Sequence, residues 1–500
     1  MNDAEKNKLF WACFVALTAT SFFFGLRSVV VADLMTDFNM SSTEIGQILG
    51  VGLWPFAISI IVFSLIIDRI GYKKSALFAI AAHAIAVVGT LLAIKESSSS
   101  LLYWSTFLVA IANGTVEAFI NPVVATIYPK EKTKWLNILH AGWPLGLALG
   151  GAAGLLLANQ GLMMKFGICL IPVVLYAILT IPRVFPVQER VAAGVSYRDM
   201  LREVGAVGFF LMGWLLVIAV GQIIGTSIPL PISLGVGAIV GIAAWVFTKS
   251  PGNMMFLLIL LTMPFLATTE LGTDGWMTEL LSADFPKMAG WIFVMISIIM
   301  TILRFYAGPI VHAFSPIGLL VVSGVLAVIG LFFLGMAPTH LMIVAAIVYA
   351  FGKTFLWSTT LGVVSEQFPK GGALTLNGVS AVGVLGMGII GAPLMGNLID
   401  KGIDTDLKQQ HPALHAQVDG GPRDTMFGKA PSVNQEAVAG LAEDQKGQVQ
   451  TIVNTNKKKA FIRQAWLPAF MLLCYLILFL YFKSRGGYKP VELDAGESTT

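Results

Sequence analysis

Apolar runs of about 20 residues recur along this chain, separated by short stretches where charged residues, proline and glycine collect. Some 20 helical residues rise ~30 Å, the thickness of a bilayer's hydrocarbon core, so each run predicts one membrane-crossing helix. Reading the runs against their breaks places helices near 9–33, 44–67, 75–94, 101–128, 135–158 and 164–182, then 206–224 and 228–247. A last group follows near 254–280, 288–310, 317–336, 341–366, 373–399 and 461–482. That makes fourteen, arranged as six, two and six. The expected organisation is an N-terminal bundle over 1–182, a polar linker with two extra helices over 183–253, and a C-terminal bundle over 254–500. The last of these contains one long hydrophilic loop, 401–459.

Lysine and arginine test the scheme independently. Loops assigned to one side hold Lys6, Lys8, Arg69, Lys73, Lys74, Lys130, Lys132, Lys134, Arg183, Arg190, Arg198, Arg202, Lys249, Arg304, Lys370, Lys483, Arg485 and Lys489. Short loops on the other side hold Lys95, Lys165 and Lys287. The positive-inside rule then puts both termini in the cytoplasm of a multi-pass protein of the cell (inner) membrane. A single span over 206–247 would invert the second half and break this alternation.

Composition agrees and excludes several functions. Hydrophobic residues make up 56% of the 500 and charged ones 12%, with mean hydropathy +0.79; soluble domains carry about twice that charge. A net charge of +4 suggests no nucleic-acid partner. Cys13, Cys169 and Cys474 lie inside apolar runs without pairing or metal-ligand spacing. His411 and His415 stand four apart in the loop 401–459, where a solvated pair is expected. No zinc-protease pattern or serine elbow is present, and Gly352-Lys353-Thr354 lacks the earlier glycine of a phosphate loop, with Ile347 in its place. No enzyme, cofactor or metal is expected.

Two motifs carry chemistry. Between the second and third helices runs Asp68-Arg69-Ile70-Gly71-Tyr72-Lys73-Lys74. A carboxylate closing one helix and a basic cluster opening the next suit a latch between neighbouring helices, with Gly71 allowing the tight turn. This resembles the D-R-x-G-R-[KR] loop of the major facilitator superfamily, with Ser64 where the family usually has glycine. The corresponding stretch from Arg304 to Pro316 keeps a glycine, but His312 replaces the acid. The resemblance implies an all-α membrane fold of two six-helix bundles, here with two extra helices, and a substrate site at midplane between the halves.

The second motif runs A-N-G-T-V-E-A-F-I-N-P, then L-N-I-L-H-A-G-W-P-L-G. Asn113, Glu117 and Asn121 fall at i, i+4 and i+8, one polar stripe on a membrane helix. A charge at bilayer centre costs about 2.5–3.5 kcal/mol or more, so the stripe should face a cavity or a partner. Pro122 frees a backbone carbonyl beside it, and Asn137 and His140 extend the polar surface. This block resembles the fucose-permease type of sugar:proton symporter, and that resemblance implies Glu117 as the proton-coupled carboxylate. Arg27 departs from the type: it reads either as a counter-ion for Glu117 or as a site for an anionic substrate.

Glu270 and Asp274 lie one turn apart in T-T-E-L-G-T-D-G-W, and Lys353 is a candidate partner for either. Trp54, Trp143, Trp276 and Trp357 offer aromatic faces for sugar rings, while Gly142, Gly146, Gly150 and Gly154 read as close helix packing. The expected function is proton-driven symport of a small polar solute, a sugar first, by a monomer in a lipid bilayer. Candidate substrate contacts are Arg27, Asn113, Asn121, Asn137, His140, Trp143, Glu270, Asp274, Trp276, Lys353 and Trp357. An organic-anion carrier using Arg27 and Lys353 is the alternative within transport, and a non-transporting receptor is the third reading.

Overall fold

The computed structural model describes residues 1–40, 42–223, 226, 228–273, 285, 288–425 and 428–493. Thirteen helices in it are long and apolar enough to cross a membrane, and a bent pair, Ala289–Phe305 and Ala307–Phe314 at 64°, makes up a fourteenth span. In chain order they are α1 Asp3–Val29, α2 Ile48–Ile70, α3 Tyr72–Lys95, α4 Ser99–Ile127, α5 Lys132–Leu156 and α6 Leu162–Thr180. The extra pair is α7 Tyr197–Gly221 and α8 Leu230–Thr248. The second six are α9 Met254–Gly272, the bent pair α10, α11 Pro316–Met336, α12 Thr339–Gln367, α13 Pro369–Gln410 and α14 Glu443–Ser484.

The residues at helix contacts explain how the bundles close. Along α5, a Cβ on Gly146 would stand 2.3 Å from the Thr18 carbonyl oxygen of α1, and one on Gly150 would stand 2.2 Å from that of Phe22. Only hydrogen fits there, so the glycine row lets the two backbones touch. Across the two halves, α2 packs on α13 and α5 packs on both α10 and α12. α7 and α8 pack mainly on each other, and α7 leans on α13.

A local repeat lies beneath this arrangement. Tyr128-Pro129-Lys130 and Leu136-Asn137 recur 240 residues later as Phe368-Pro369-Lys370 and Leu376-Asn377. α4 and α5 therefore correspond to α12 and α13 position by position.

The segment 401–459 is largely structured. α13 continues to Gln410, a short helix Pro412–Val418 follows, and β1 Asp419–Thr425 pairs antiparallel with β2 Gly428–Val433. Met395, Ile399, Ile403, Leu407, Leu414, Val418, Val449 and Ile452 form a separate apolar cluster that holds this cap together. His415 Nε2 lies 2.9 Å from Asp404 Oδ1, and no group of three metal-ligating side chains occurs among the described residues.

Candidate functional site

Glu117 sits at mid-length of α4 with its side chain buried. One helical turn further on, Asn121 Nδ2 donates to Glu117 Oε2 at 2.7 Å and to the Glu117 main-chain oxygen at 3.2 Å. Asn121 Oδ1 in turn accepts from His140 Nε2 at 2.9 Å. Among the described residues no cation lies within ion-pair distance of Glu117, so its carboxyl is held by an amide alone.

The second buried glutamate is held differently. Glu270, on the π-helical turn Thr268–Gly272, accepts from Arg304 Nη2 at 2.8 Å, and both side chains are at most 3% exposed. The same pair satisfies backbone groups left free by two broken helices. Pro144 has no N–H to give the His140 carbonyl, and Arg304 Nη1 donates to that oxygen at 2.8 Å. α12 breaks between Lys353 and Leu356; there Arg304 Nε donates to the Thr354 oxygen at 2.7 Å and Trp357 N–H donates to Glu270 Oε2 at 3.2 Å. One guanidinium thus ties α9, α12 and, across the halves, α5.

Between these two glutamates lies a narrow cavity of about 20 Å³, lined by Phe56, Glu117, His140, Trp143, Glu270, Leu271, Arg304, Trp357 and Val384. Phe56, Trp143, Leu271 and Val384 also line a larger vestibule of about 250 Å³, which adds Phe24, Ser28, Leu53, Leu147, Phe293 and Met387. Those additional residues lie toward the helix ends remote from the termini, so the space widens in that direction.

Of the residues expected at the site, Glu117, His140, Trp143, Glu270 and Trp357 line the cavity, with Asn121 directly behind. Asn113 does not: its Oδ1 pairs with His83 Nε2 at 2.7 Å, and His83 Nδ1 lies 2.8 Å from Tyr176 Oη. Asn137 is taken up by the Thr133 oxygen, Thr359 and Ser358 at 2.9, 3.2 and 2.7 Å. Arg27 is not the counter-ion of Glu117. Its guanidinium stacks on Phe24 at 5.2 Å and presses on Gly52, reaching the helix ends instead of the midplane. Asp33, near that end, pairs with Lys165 at 2.6 Å. Glu270 pairs with Arg304, and Lys353 lies over the Tyr349 ring at 5.7 Å; the other link expected of Lys353, to Asp274, lies outside the described residues. Asp274 and Trp276 fall outside the described residues. Arg304, expected in a loop, is the residue that sequence reasoning missed.

The face carrying both termini is sealed by polar contacts between the halves. Glu366 accepts from the Thr133 N–H at 2.8 Å and from Tyr488 Oη at 2.7 Å, and Lys132 reaches the Ser365 oxygen at 3.3 Å and Glu189 at 2.6 Å. Asn377 Nδ2 donates at 2.9 Å to the Ala118 oxygen, the carbonyl that Pro122 sets free. The loop at Asp68 latches onto the linker. Asp68 pairs with Arg190 and accepts from Gln188 Nε2 at 3.0 Å, while Gln188 Oε1 accepts from the Ala373 N–H at 2.7 Å. Gly71 turns the chain at φ +85°, Arg69 stacks on Tyr197, and Lys73 caps the carbonyl end of α6 at Thr180, Ile181 and Arg183. Lys74 is exposed.

Comparison with known proteins bears on this architecture. The E. coli fucose:proton symporter FucP, in its outward conformation, superposes with a TM-score of 0.60 at 13% identity, covering 94% of this chain and 98% of that one. The proton:xylose symporter XylE gives 0.59 at 15% identity over 83% and 93%, and the human organic anion transporter MFSD10 gives 0.58 at 12% over 94% and 100%. A search of curated proteins finds no match. At these identities the solved structures establish the fold. Residues 12–277, more than half the chain, match the sequence profile of the Major Facilitator Superfamily, and the chain belongs to that family of membrane transporters.

Proposed function

We propose that this transporter moves a neutral polar solute, a sugar first, together with a proton, with Glu117 as the group that carries the proton. The observation that carries the reading is the contrast within one cavity. Among the described residues Glu117 has an amide and no cation beside it, whereas Glu270 is paired with Arg304. A carboxyl without a fixed counter-ion can be charged in one conformation and neutral in the next, which proton coupling requires. Trp143, Trp357 and Phe56 supply the aromatic walls that suit the C–H faces of a ring.

An anionic substrate is less well served. Neither Arg27 nor Lys353 is among the described lining residues, and the charge of Arg304 is already matched. The sealed face carries the termini, which the lysine and arginine distribution assigns to the cytoplasm, so this conformation is read as opening outward. The protein is taken to act as a monomer in the cell membrane.

The test is uptake into proteoliposomes under an imposed proton gradient, with radiolabelled fucose and xylose against a small carboxylate such as lactate. The sugars should accumulate and lactate should not. Glu117→Gln should abolish gradient-driven accumulation at normal expression. Full coupled uptake by that variant sinks the assignment.

A further inference from the structure

One amide joins the proton site to the substrate cavity. Asn121 Nδ2 faces Glu117 at 2.7 Å and its Oδ1 faces His140 Nε2 at 2.9 Å, with all three side chains buried. An amide donates at one atom and accepts at the other, so it passes hydrogen-bond polarity along. A carboxylate at Glu117 accepts only, which turns Nδ2 toward it and Oδ1 toward His140. His140 must then carry its proton on Nε2. A neutral imidazole has one N–H, so Nδ1 of this cavity-lining residue is left as an acceptor.

We propose that Asn121 and His140 translate the protonation state of Glu117 into the hydrogen-bond polarity that the substrate meets. The proposal rests on Glu117 being the proton site. When Glu117 takes up a proton, its O–H needs an acceptor. A half-turn of the Asn121 amide offers Oδ1 to that hydroxyl and Nδ2 to His140 Nε2, which becomes the acceptor. His140 gives its Nε2 proton to cavity water and takes one at Nδ1, so the ring stays neutral and the net uptake is the single proton on Glu117. The cavity then presents a donor where it had presented an acceptor.

The surroundings favour a reversible switch over a fixed bond. The Asn121 bond to the Glu117 main-chain oxygen, at 3.2 Å, exists in the ionised orientation and is lost on rotation. The amide therefore returns when the proton leaves. Arg304 grips the His140 carbonyl, so the ring can exchange tautomers while its backbone stays in place. The ionisable groups facing the relay are Glu270 and Arg304, which pair with each other. α2, α12 and α13 contribute Phe56, Trp357 and Val384, and His83 of α3 is turned to Asn113 and Tyr176. Arg27 of α1 and Asp33, just beyond that helix, are engaged near its end.

The experiment is nitrogen-15 NMR of histidine-labelled protein in nanodiscs, with His140 assigned by its loss in His140→Gln. The His140 proton should move from Nε2 to Nδ1 as pH falls through the titration of Glu117. The change should vanish in Glu117→Gln and in Asn121→Leu, the residue found at the repeat position Leu361. Gradient-driven fucose uptake by Asn121→Leu should fall about tenfold, the scale of one misdirected buried hydrogen bond. A single tautomer throughout, an imidazolium, or a switch that persists in Glu117→Gln overturns the relay, and the wild-type spectrum suffices if a variant fails to fold. Uptake by the wild type separates the two readings. Proton-driven uptake without a tautomer change overturns the relay and leaves symport standing. A tautomer change without driven uptake upholds the relay and overturns symport.

Discussion

The two halves of this transporter place different chemistry at matching positions. Glu117, Asn121 and His140 in the first half correspond, 240 residues on, to Trp357, Leu361 and Ser380 in the second. The first half thus supplies a carboxyl with a hydrogen-bonded relay, and the second supplies an aromatic wall. The acid of the second half, Glu270, comes from a different helix and is paired with Arg304. A fold built by repetition has kept the paired asparagines Asn137 and Asn377 and divided the chemistry that lines the cavity between its halves. The glutamate without a cation suits proton exchange, and the paired one suits anchoring.

The sharpest way to break that contrast is to remove the anchor. Arg304→Met takes the guanidinium away from the buried Glu270 carboxylate and strips a donor from the His140 and Thr354 carbonyls. Removing one partner of a buried pair costs about 3–5 kcal/mol, so thermal unfolding in detergent should drop by many degrees. Glu270→Gln added to Arg304→Met removes the buried charge and should recover much of the loss. Glu117→Gln, by contrast, should cost about 1 kcal/mol or less, because its amide still bonds to Asn121. Equal destabilisation by Arg304→Met and Glu117→Gln would erase the distinction between the two glutamates.

That distinction was half legible in the sequence. The spans follow from apolar length, and Glu117 with Asn121 stands out because a helix places i and i+4 on one face. Arg304 was hidden by its position: it lies near the end of the run 288–310, where a cation counts with the basic residues of the adjoining loop. The chain instead bends at Tyr306 and continues as helix to Phe314, leaving Arg304 1% exposed. A signal was available, since a mid-span Glu270 demands a cation, but Lys353 answered it equally well on paper. Asn113 and Asn137 have the right periodicity, yet His83 and neighbouring helices claim them, and such partners are set by packing. The order of 401–459 depends on contacts such as those of Leu407 and Val418 with Val449 and Ile452, which a hydrophilic composition conceals.

The repeated asparagines offer a smaller test. Asn137 bonds to the Thr133 oxygen, Ser358 and Thr359, while Asn377 bonds to the Ala118 oxygen. Asn137→Ala should therefore loosen the termini-bearing seam by about 1–3 kcal/mol and Asn377→Ala by about 1 kcal/mol. A cysteine placed at Ser365, buried in that seam, reports the opening through its alkylation rate with an impermeant maleimide. Faster labelling in Asn137→Ala than in Asn377→Ala is expected. The reverse order would mean that the freed Ala118 carbonyl, and not the side-chain cluster, holds the halves together.

The gentlest perturbation concerns a place where the repeat is broken and the linker fills in. Glu366 caps the start of α5 at the Thr133 N–H, and the matching residue for the start of α13 is Thr126, too short for the task. Gln188 of the linker stands there instead, accepting from the Ala373 N–H while holding Asp68. A neutral cap on a helix N-terminus contributes about 1 kcal/mol, so Gln188→Ala should raise Ser365→Cys labelling roughly fivefold. Thr126 lines the same pocket as Gln188 and Gly372, so a glutamate at 126 can reach the vacated N–H. Adding Thr126→Glu to Gln188→Ala should restore slow labelling by returning to the second half the cap that the first half already has. If it does not, Gln188 acts through Asp68 and the loop latch, and the linker is more than a substitute for a lost repeat residue.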